Sequence, residues 1–533
     1  MDGSADDSAV WLPECPRADR WQTLAVPSLF ERGGIDPTHP LVVCDGAVRR
    51  YGEARDRMRR LAHGLATLGV APGERVALLA ANRLDYLEVE AGIAAARGIM
   101  VALNWRLEPG ELAAILRHSG AVAALVDAGR LATVAQLRVS GELPMLRHVL
   151  ALDDGGPSSL AALLADAPDG PAPRTARFDD LHEIIFTSGT TGRPKGAVWT
   201  NGAVLFNSLQ QIVDFRIGPD SSTYTVIDLY YLGGRHDLTW AVLHAGGTVH
   251  IKPSGNFDAE QVLRYVCEHR ITHVLWVPTM IYDLLRVPCP ERFDTRCLQF
   301  IMCGGQPLSA AMTRAVQQRF PHTRFVQVYG LTEGGGSVTF VPDRALLDKP
   351  GSAGRPSLHA AIRIVADDGQ DCPVGADGEI WVRAPSMIAG YWDEPELTSE
   401  ALADDWLRTG DVGHLDADGY LFVTGRKKDM IISGGMNIFP SEIEDVLRLH
   451  AAVADVAVIG VPHERWGEQV CAVVQLHEDQ MLTGDQVVAY CAGQIASYKK
   501  PSVVRFVASM PRTATGKVQK YLLRDQVRAE GAA

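Results

Sequence analysis

The stretch Thr187-Ser-Gly-Thr-Thr-Gly-Arg-Pro-Lys-Gly196 places three glycines, several hydroxyl side chains and one lysine within ten residues. The run before it, residues 181–186, predicts a buried strand. Glycines allow backbone amides to approach an anion closely, while the hydroxyl groups and Lys195 add further donors. The stretch therefore predicts a loop that holds a polyphosphate.

The order of residues in this loop differs from that of a Walker A loop. A Walker A loop ends in Gly-Lys followed by Ser or Thr, whereas here Gly196 follows Lys195. The loop therefore offers no hydroxyl at the position that would take magnesium. A plain surface turn rich in glycine and threonine is the alternative interpretation of such a cluster.

Length and composition restrict the class of protein. A chain of 533 residues is too long for one ordinary core and predicts two or more domains. Its hydrophobic content of 47% and charged content of 22% are typical of globular proteins. The net charge of −13 argues against a nucleic-acid partner, which would favour a basic surface.

The cysteines and the hydropathy pattern predict a cytoplasmic protein. The nine cysteines form no Cys-x-x-Cys pair, which argues against a zinc framework and favours reduced thiols. The acidic start of the chain, residues 1–10, lacks the apolar segment of a signal peptide. No uncharged apolar run reaches about 18 residues, so we expect no transmembrane helix.

Strand-like and helix-like segments alternate along most of the chain, which predicts an α/β fold of mostly parallel sheets flanked by helices. Roughly the last hundred residues read as a small α+β domain. Its first helix is predicted to open at Ser441, with Glu444 completing a capping box. Predicted strands are 75–79, 181–186, 272–277, 299–303, 324–328, 453–459 and 469–474, and predicted helices are 111–118 and 308–320, the latter capped by Ser309. In the helix after the phosphate loop, Leu205, Leu209 and Ile212 are predicted to share one face.

Further short motifs follow predicted strands, at the edge of a parallel sheet where ligands bind. A Thr-Glu pair in a glycine-flanked turn suits a hard cation such as magnesium, although such a pair alone more often caps a helix. An aspartate in a glycine-rich turn can accept ribose hydroxyls, although it is usually a turn residue. These motifs are Cys303-Gly-Gly-Gln-Pro-Leu308, Val328-Tyr-Gly-Leu-Thr-Glu-Gly334, Arg408-Thr-Gly-Asp-Val412, Gly425-Arg-Lys-Lys-Asp429, Ser433-Gly-Gly-Met-Asn437 and Pro511-Arg-Thr-Ala-Thr-Gly-Lys-Val518.

Taken together and in this order, the motifs resemble those of the adenylate-forming superfamily, which comprises acyl-CoA synthetases, aryl-CoA ligases, luciferases and peptide-synthetase adenylation domains. The resemblance extends from about Trp21 to Lys520 and is closest to acyl- or aryl-CoA ligases. It implies a large N-terminal domain over residues 1–425, a hinge at 426–428 and a small mobile lid domain over 429–533. It also implies ATP, Mg²⁺ and CoA as the ligands that accompany a small carboxylic acid, and it leaves a homodimer open.

The resemblance also implies a role for each matched position. The catalytic set is Lys517, Thr332, Glu333 and Lys195, with Glu333 serving Mg²⁺. Nucleotide-binding positions are Thr187, Ser188, Gly189, Thr190, Thr191, Gly192, Gly304, Gly305, Gln306, Tyr329, Gly330, Asp411 and Arg426, where Tyr329 would stack on adenine and Asp411 would take the ribose hydroxyls. Lys428 would be the hinge, and Gly434 and Gly435 would line the CoA tunnel.

One segment, Asp228-Leu-Tyr-Tyr-Leu-Gly-Gly234, departs from the family pattern. Many relatives have proline where Asp228 stands and histidine where Tyr231 stands, beside the carboxylate that is activated. Tyrosine carries no charge at neutral pH, so a differently shaped acid is expected. The predicted substrate-pocket residues are Tyr230, Tyr231, Gly233, Arg235 and His236. Arg235 is expected either to pair with a second carboxylate of the substrate or to form a surface pair with Asp237.

The resemblance implies that ATP activates a carboxylic acid to an acyl-adenylate, which CoA then converts to a thioester. Three alternatives stay open. The activated acid, or a carboxylate-like anion such as nitrite, could pass to an amine or a carrier-protein thiol. The protein could be a luciferase-type oxygenase, or it could bind a nucleotide without catalysis.

Overall fold

The computed structural model describes residues 21–153, 156–187, 194–288, 290–306, 308–434, 436–512 and 518–531. Within these ranges no helix combines the length and apolar character that a membrane crossing needs. Among these residues Cys44, Cys267, Cys297, Cys303, Cys372 and Cys491 are free thiols.

The helices of the described residues are numbered in chain order, and the positions of several of them are predicted by sequence signals. Ser309 caps the helix that follows it, because its hydroxyl accepts from the Met312 N–H at 3.2 Å. The α-helices are α1 Tyr51–Thr67, α2 Tyr86–Ala95, α3 Pro109–Ser119, α4 Ala128–Val139, α5 Leu160–Asp166, α6 Asn201–Phe215, α7 Leu232–Arg235, α8 Thr239–Ala245, α9 Ala259–Glu268, α10 Pro278–Leu285, α11 Ala310–Arg319, α12 Pro395–Ala401, α13 Pro440–Arg448, α14 Gly484–Cys491 and α15 Lys520–Gly531.

The strands, numbered likewise, include every strand predicted from the sequence. They are β1 Pro40–Cys44, β2 Ala47–Arg50, β3 Arg75–Leu79, β4 Ile99–Leu103, β5 Ala123–Val126, β6 His148–Ala151, β7 Leu181–Thr187, β8 Lys195–Thr200, β9 Ser222–Thr225, β10 Thr248–Ile251, β11 His273–Leu275, β12 Phe300–Cys303, β13 Arg324–Leu331, β14 Gly336–Val341, β15 Ser352–Pro356, β16 Ala361–Val365, β17 Gly378–Arg383, β18 Gly390–Tyr391, β19 Leu402–Ala403, β20 Trp406–Leu415, β21 Leu421–Arg426, β22 Ile431–Ser433, β23 Met436–Ile438, β24 Val453–His463, β25 Gly467–Leu476 and β26 Val503–Phe506.

Two large sheets form the N-terminal part of the chain. In the larger one, β13, β12, β11, β9, β10 and β1 are neighbours in this order and run parallel, and antiparallel strands extend it past β13 through β14 and β15. In the second, β7, β4, β3, β5 and β6 run parallel, with β8 antiparallel at the side of β7. Helix α2, buried along its whole length, belongs to the apolar core that β3 and β4 also contribute to. The α/β prediction is confirmed.

A third sheet of β22 to β26 forms the small C-terminal domain. Its core consists of side chains from β24 and β25 together with Ile443 and Leu447 of α13. Helix α15 packs on the same sheet, where Lys520 pairs with Glu444 at 2.7 Å. The predicted smaller α+β domain is therefore confirmed.

One local prediction is wrong. Helix α13 begins at Pro440, and the Ser441 hydroxyl donates to the Thr424 carbonyl instead of capping the helix. Glu444 accepts from the Val458 N–H at 2.8 Å, so it serves the neighbouring strand. In α6, Leu205, Leu209 and Ile212 lie on one helix face, as predicted, but this face is only partly buried, since Leu209 is 40% exposed.

Candidate active site

The predicted phosphate loop joins two paired strands. Thr187 ends β7 and lies opposite Lys195 at the start of β8. Of the predicted site residues, Ser188, Gly189, Thr190, Thr191, Gly192, Gly435 and Lys517 lie outside the described residues. Gly196 packs tightly against β7, since a Cβ there would lie 2.7 Å from the Ile184 side chain. The strand pair thus fixes both ends of the loop.

A tyrosine connects Lys195 with the Thr-Glu motif. The Lys195 ammonium lies 5.6 Å from the centroid of the Tyr391 ring, within the range of a cation–π interaction. The Tyr391 hydroxyl donates to Glu333 Oε1 at 3.0 Å. Burial, and then the charge of Glu333, raises the pKa of Tyr391, so the hydroxyl stays protonated and remains a donor. Tyr391 therefore contacts the Lys195 cation with its ring and the Glu333 carboxylate with its hydroxyl.

Asp411 is held in place by two partners, Arg426 on the adjoining strand β21 and Tyr329 on β13. It is 3% exposed, and its Oδ1 accepts from Arg426 Nε at 2.8 Å across the β20–β21 pair. Its Oδ2 accepts from the Tyr329 hydroxyl at 2.7 Å. Burial and the nearby Asp411 charge raise the pKa of Tyr329 well above its ordinary value. Asp411 thus presents a fixed carboxylate beside the Tyr329 motif.

The remaining adenine-side residues lie at adjacent strand ends. Gly304 and Gly305 follow β12, which pairs with β13, the strand that carries Tyr329 and Gly330. A Cβ on Gly304 would lie 2.7 Å from the Val328 side chain, and Gly305 has a φ of +91°. Gln306, Gly305 and Gly330 are exposed. The two glycine-rich turns therefore form one accessible edge of the sheet.

Lys428 lies close to the nucleotide-side cations. Partial burial is the main cause that lowers the pKa of Lys428. The positive charge of Arg426 lowers it further, and the charge of Lys195 adds to this effect. Farther along, Gly434 has a φ of +58°, and a Cβ there would lie 2.8 Å from the ring of Trp466. The Trp466 side chain is 46% exposed. Gly434 therefore leaves room for an aromatic ring at the surface of the small domain.

The departing segment has its own compensating contacts. Asp228, at the position of the usual proline, forms an ion pair with Arg106 and accepts from the Ser254 hydroxyl. The rings of Tyr230 and Tyr231 lie 4.6 Å apart. Burial raises the pKa of Tyr230 to about 12 and that of Tyr231 further, so both are neutral. Gly233 is half-buried, and a Cβ added to it would lie 3.7 Å from the Leu275 side chain.

Both expectations for Arg235 are wrong. Its side chain is fully buried and paired with carboxylates of other elements, so it meets neither a substrate carboxylate nor Asp237 at the surface. Its guanidinium forms an ion pair with Glu183, lies 3.3 Å from Glu90 and donates to the Leu229 carbonyl at 2.5 Å. The predicted pocket role of Arg235 is therefore replaced by a structural one.

His236 is also removed from the pocket. It is fully buried, pairs with Glu183 and stacks on Trp199 with ring centroids 4.7 Å apart. Burial alone would raise the pKa of Glu183, but the charges of Arg235 and His236 outweigh it and hold that pKa low. His182 completes the group through Glu90 at 2.9 Å. We call these five side chains, Glu90, His182, Glu183, Arg235 and His236, the buried charge cluster.

Three side chains of the buried charge cluster, Glu90, Glu183 and His236, place possible metal-ligand atoms within 4.8 Å of one another. Arg235, however, already reaches both carboxylates with its own positive charge. A metal ion among the same oxygens would face this cation at short range, which is electrostatically unfavourable. The arrangement fits a compensated ion-pair network better than a metal centre.

The aromatic residues Trp240 and Trp276 belong to the core. Both are fully buried, and the Trp240 indole donates to Glu90 at 3.1 Å. Neither tryptophan therefore reaches the surface.

Two residues of the site were missed as candidates. Tyr391 lies 58 residues from its partner Glu333 and follows Gly390, which alone gives no functional signal. Asp237 lines a cavity with Gly233 and Leu275 at the ends of β9 and β11. The sequence does contain a signal for Asp237, because an acidic residue directly after the substrate segment is unusual. Asp237 was nevertheless expected to form a surface pair with Arg235.

Asp237 is expected to make stability depend on pH. Burial raises its pKa to about 7 from 3.8, although a hydrogen bond from Ser337 opposes the shift. Between these values the folded state keeps a proton that the unfolded chain has lost, so stability falls as the pH rises through this window. Asp237→Asn should therefore unfold a few degrees above the wild type near pH 8 and together with it near pH 4. Thermal unfolding at both pH values tests this, and an equal difference at both would contradict it.

Comparisons with known proteins agree with this geometry. The AMP-binding enzyme family matches residues 30–392, and the AMP-binding enzyme C-terminal domain matches residues 442–517. A feruloyl-CoA synthase of an Amycolatopsis species is 36% identical over 92% of this chain and 97% of its own length. An indoleacetate–CoA ligase of Aromatoleum aromaticum is 36% identical over 93% and 96%.

The fold has equally close counterparts. The crystal structure of ATP-bound MatB from Rhodopseudomonas palustris superposes with a TM-score of 0.85 at 30% identity, covering 95% of this chain and 99% of that one. Since both family models match in order along most of the chain, this protein belongs to the AMP-binding, adenylate-forming enzyme family.

Proposed function

We propose that this protein is an AMP-forming acid–thiol ligase. It activates a small carboxylic acid with ATP, releases pyrophosphate and passes the acyl group from the adenylate to CoA. Its membership of the adenylate-forming family and its likeness to CoA ligases of similar length support this reaction.

The observation that carries the proposal is the fixed carboxylate of Asp411. A buried carboxylate held by Arg426 and Tyr329 is suited to accept both hydroxyls of a ribose, as acidic residues do in other nucleotide sites. Its partner Tyr329 lies on β13 next to Gly330 and beside the turn of Gly304, where an adenine would lie. The Tyr329 ring would then border the adenine while its hydroxyl stays on Asp411.

The first half-reaction joins two anions, because the acid's carboxylate attacks the α-phosphate. Lys195, at the end of the phosphate loop, would stabilise the charge that develops on the phosphate oxygens. Lys517 would add a second positive charge from the small domain. Thr332 would contact phosphate through its hydroxyl, and no covalent bond to the enzyme is needed.

The residues present also fit a magnesium ion. Glu333 and Thr332 offer carboxylate and hydroxyl oxygens, the ligand type that Mg²⁺ prefers, in a partly exposed turn. Tyr391 binds Oε1 of Glu333 and orients the carboxylate. A bound Mg²⁺ would supply positive charge toward the phosphates.

In the second half-reaction the small domain, residues 429–533, would rotate about the hinge at 426–428. Lys428 is central to this segment, and its ammonium stands near Arg426 and Lys195 in the described arrangement. Rotation would move Lys517 away and bring Gly434 and Gly435 toward the adenylate. The exposed Trp466 ring against Gly434 would then border the path of the CoA arm.

The function is tested by pyrophosphate release from ATP and Mg²⁺ with a panel of aryl, short, medium and dicarboxylic acids, each with and without CoA. Multiple turnovers only with CoA, and a thioester seen by mass spectrometry, are expected. Turnover that does not depend on CoA but depends on an added amine or carrier protein would contradict the proposal that CoA is the acceptor. Oxygen uptake would indicate an oxygenase, and ATP binding without pyrophosphate release would indicate a non-catalytic protein.

Asp411→Asn is expected to weaken ATP binding about tenfold to a hundredfold, the scale of losing hydrogen bonds to a charged group. The asparagine amide keeps the shape of the aspartate side chain but removes the negative charge that Arg426 and the ribose hydroxyls contact. ATP affinity measured by calorimetry tests this. Asp418→Asn removes an equal charge from an exposed turn and serves as the matched control. Equal affinities for the two variants would remove Asp411 from the nucleotide site.

A further inference from the structure

The cavity at the carboxyl ends of β9 and β11 contains one ionisable carboxylate that the proposed reaction does not use. The space that this cavity leaves for water-sized groups is about 10 Å³, and Asp237 and Leu275 both line it. The other lining residues, mostly backbone and small or apolar side chains, are Thr223, Tyr224, Thr225, Val226, Ile227 and Gly233. A space of this size holds about one water molecule, so it suits a single hydroxyl or ammonium group of a ligand and not a whole ligand.

The fold directs Asp237 into this cavity at a local conformational cost. Leu238, the next residue, has a φ of +66°, which is uncommon for a leucine. Its N–H is held by Gln211 Oε1 at 2.7 Å, and Gln211 is itself buried. Such strain persists where the surrounding structure enforces it, and it is typical of functional sites. The same turn sends Arg235 and His236 inward to the buried charge cluster.

Asp237 has one polar side-chain contact among the described residues. Its Oδ1 lies 3.3 Å from the Ser337 hydroxyl, and no lysine, arginine or histidine in the described ranges forms an ion pair with it. Arg235, two residues earlier, is committed to Glu183 and Glu90. Burial raises the pKa of Asp237, as expected for a carboxyl without a cation nearby. Groups buried in this way are stabilised when a donor or cation meets them.

Ser337 connects this carboxylate to the reaction centre. It pairs with Gly330 across the β13–β14 register, and Gly330 precedes the Thr332–Glu333 turn by two residues. Gly233, a residue of the proposed acid pocket, also lines the cavity. A polar group of a bound acid that enters the cavity would therefore lie between the proposed acid pocket and the phosphate-side turn.

We propose that Asp237 selects a compact carboxylic acid that carries a second polar group able to donate a hydrogen bond, a protonated amine or a hydroxyl. A carboxyl facing the cavity accepts from such a group, whereas an apolar substituent would add no partner to the one that Ser337 provides. Asp237 is thus a specificity-determining residue. This inference rests on the proposed function, since it names the acid that the ligase activates.

The experiment compares matched acids that differ in one substituent. Benzoic acids with a hydroxyl, an aminomethyl or a methyl group, each at the meta and para positions, are assayed for kcat/KM in pyrophosphate release with CoA. For the wild type we expect a donor-bearing acid to exceed its methyl analogue at least tenfold, because a site built around a hydrogen bond rejects analogues that lack it. The hydroxyl and aminomethyl series show which donor is preferred.

Asp237→Leu should reverse this order and favour the methyl acids, while Asp237→Asn should reduce the preference for a cationic amine more than that for a hydroxyl. Asp220→Asn, which removes the same charge from an exposed loop, should leave the ratios unchanged. Methyl acids equal to or better than donor acids in the wild type, or ratios unchanged in Asp237→Leu, would overturn the inference while leaving the ligase reaction intact. Absence of pyrophosphate release with every acid, together with intact ATP binding, would instead overturn the proposed function.

Discussion

Lys517→Ala is expected to slow acyl-adenylate formation about 10²–10³-fold, the scale of losing one group that stabilises charge in a transition state. The reason is electrostatic: the acid's carboxylate approaches a negatively charged phosphate, and the resemblance assigns one of the two compensating lysines to position 517. Lys195 would remain and account for the residual rate. Thioester formation from a supplied acyl-adenylate should keep its wild-type rate, because phosphate attack is already complete in that substrate.

The two half-reactions are measured separately for this purpose. Single-turnover pyrophosphate release gives the first, and consumption of the CoA thiol with synthetic acyl-adenylate gives the second. Lys520→Ala is the matched control, since Lys520 lies on the same domain and the structure pairs it with Glu444 at 2.7 Å. An equal loss in both half-reactions for Lys517→Ala, or an equal loss in both variants, would contradict the assigned role.

The structure brings the motifs of the predicted nucleotide side together because each of these motifs is local. Glycine turns act through their own backbone and follow directly from the strands that position them, as Gly304 follows β12 and Gly330 lies at the end of β13. The parallel order of these strands then brings the turns to one edge without any further information. Asp411 and Arg426 also pair directly, because they stand opposite each other in one antiparallel register.

The acid side was predicted poorly because its side chains depend on partners distant in sequence. Arg235 forms ion pairs with Glu183, 52 residues earlier, and with Glu90 on helix α2. From the sequence alone, a charged triplet such as Arg235, His236 and Asp237 looks exposed, since charged residues are rarely buried unless paired. Which of the three faces the cavity is decided by the Leu238 turn, and a φ of +66° at leucine has no sequence signal.

The same limit explains the error at Ser441. The pattern of Ser441 and Glu444 fits a capping box, yet both side chains find stronger use in tertiary contacts. Ser441 binds the Thr424 carbonyl at the end of the large domain, and Glu444 binds the Val458 N–H and Lys520. Local capping was thus replaced by contacts that join the helix to its surroundings.

Arg235→Met is expected to destabilise the protein by about 3–5 kcal/mol, the usual cost of removing one partner from a buried ion pair. The substitution leaves Glu90 and Glu183 close together without the cation that lies between them, and it frees the Leu229 carbonyl of its donor. The effect should appear as a lower thermal midpoint and a lower urea midpoint of the large domain. Arg264→Met is the matched control, since Arg264 forms an exposed pair with Glu260 at 3.0 Å, a type that contributes at most about 1 kcal/mol.

A second variant separates lost charge balance from lost packing. If uncompensated carboxylates cause the destabilisation, Arg235→Met combined with Glu90→Gln and Glu183→Gln should recover a large part of the stability, because well-packed neutral groups often replace buried ion pairs at little cost. If the combined variant is as unstable as Arg235→Met alone, the guanidinium acts mainly through its bond to Leu229 and the shape of the pocket segment. A midpoint for Arg235→Met equal to that of the control would show that the buried charge cluster does not stabilise the fold, since no other described cation reaches both carboxylates.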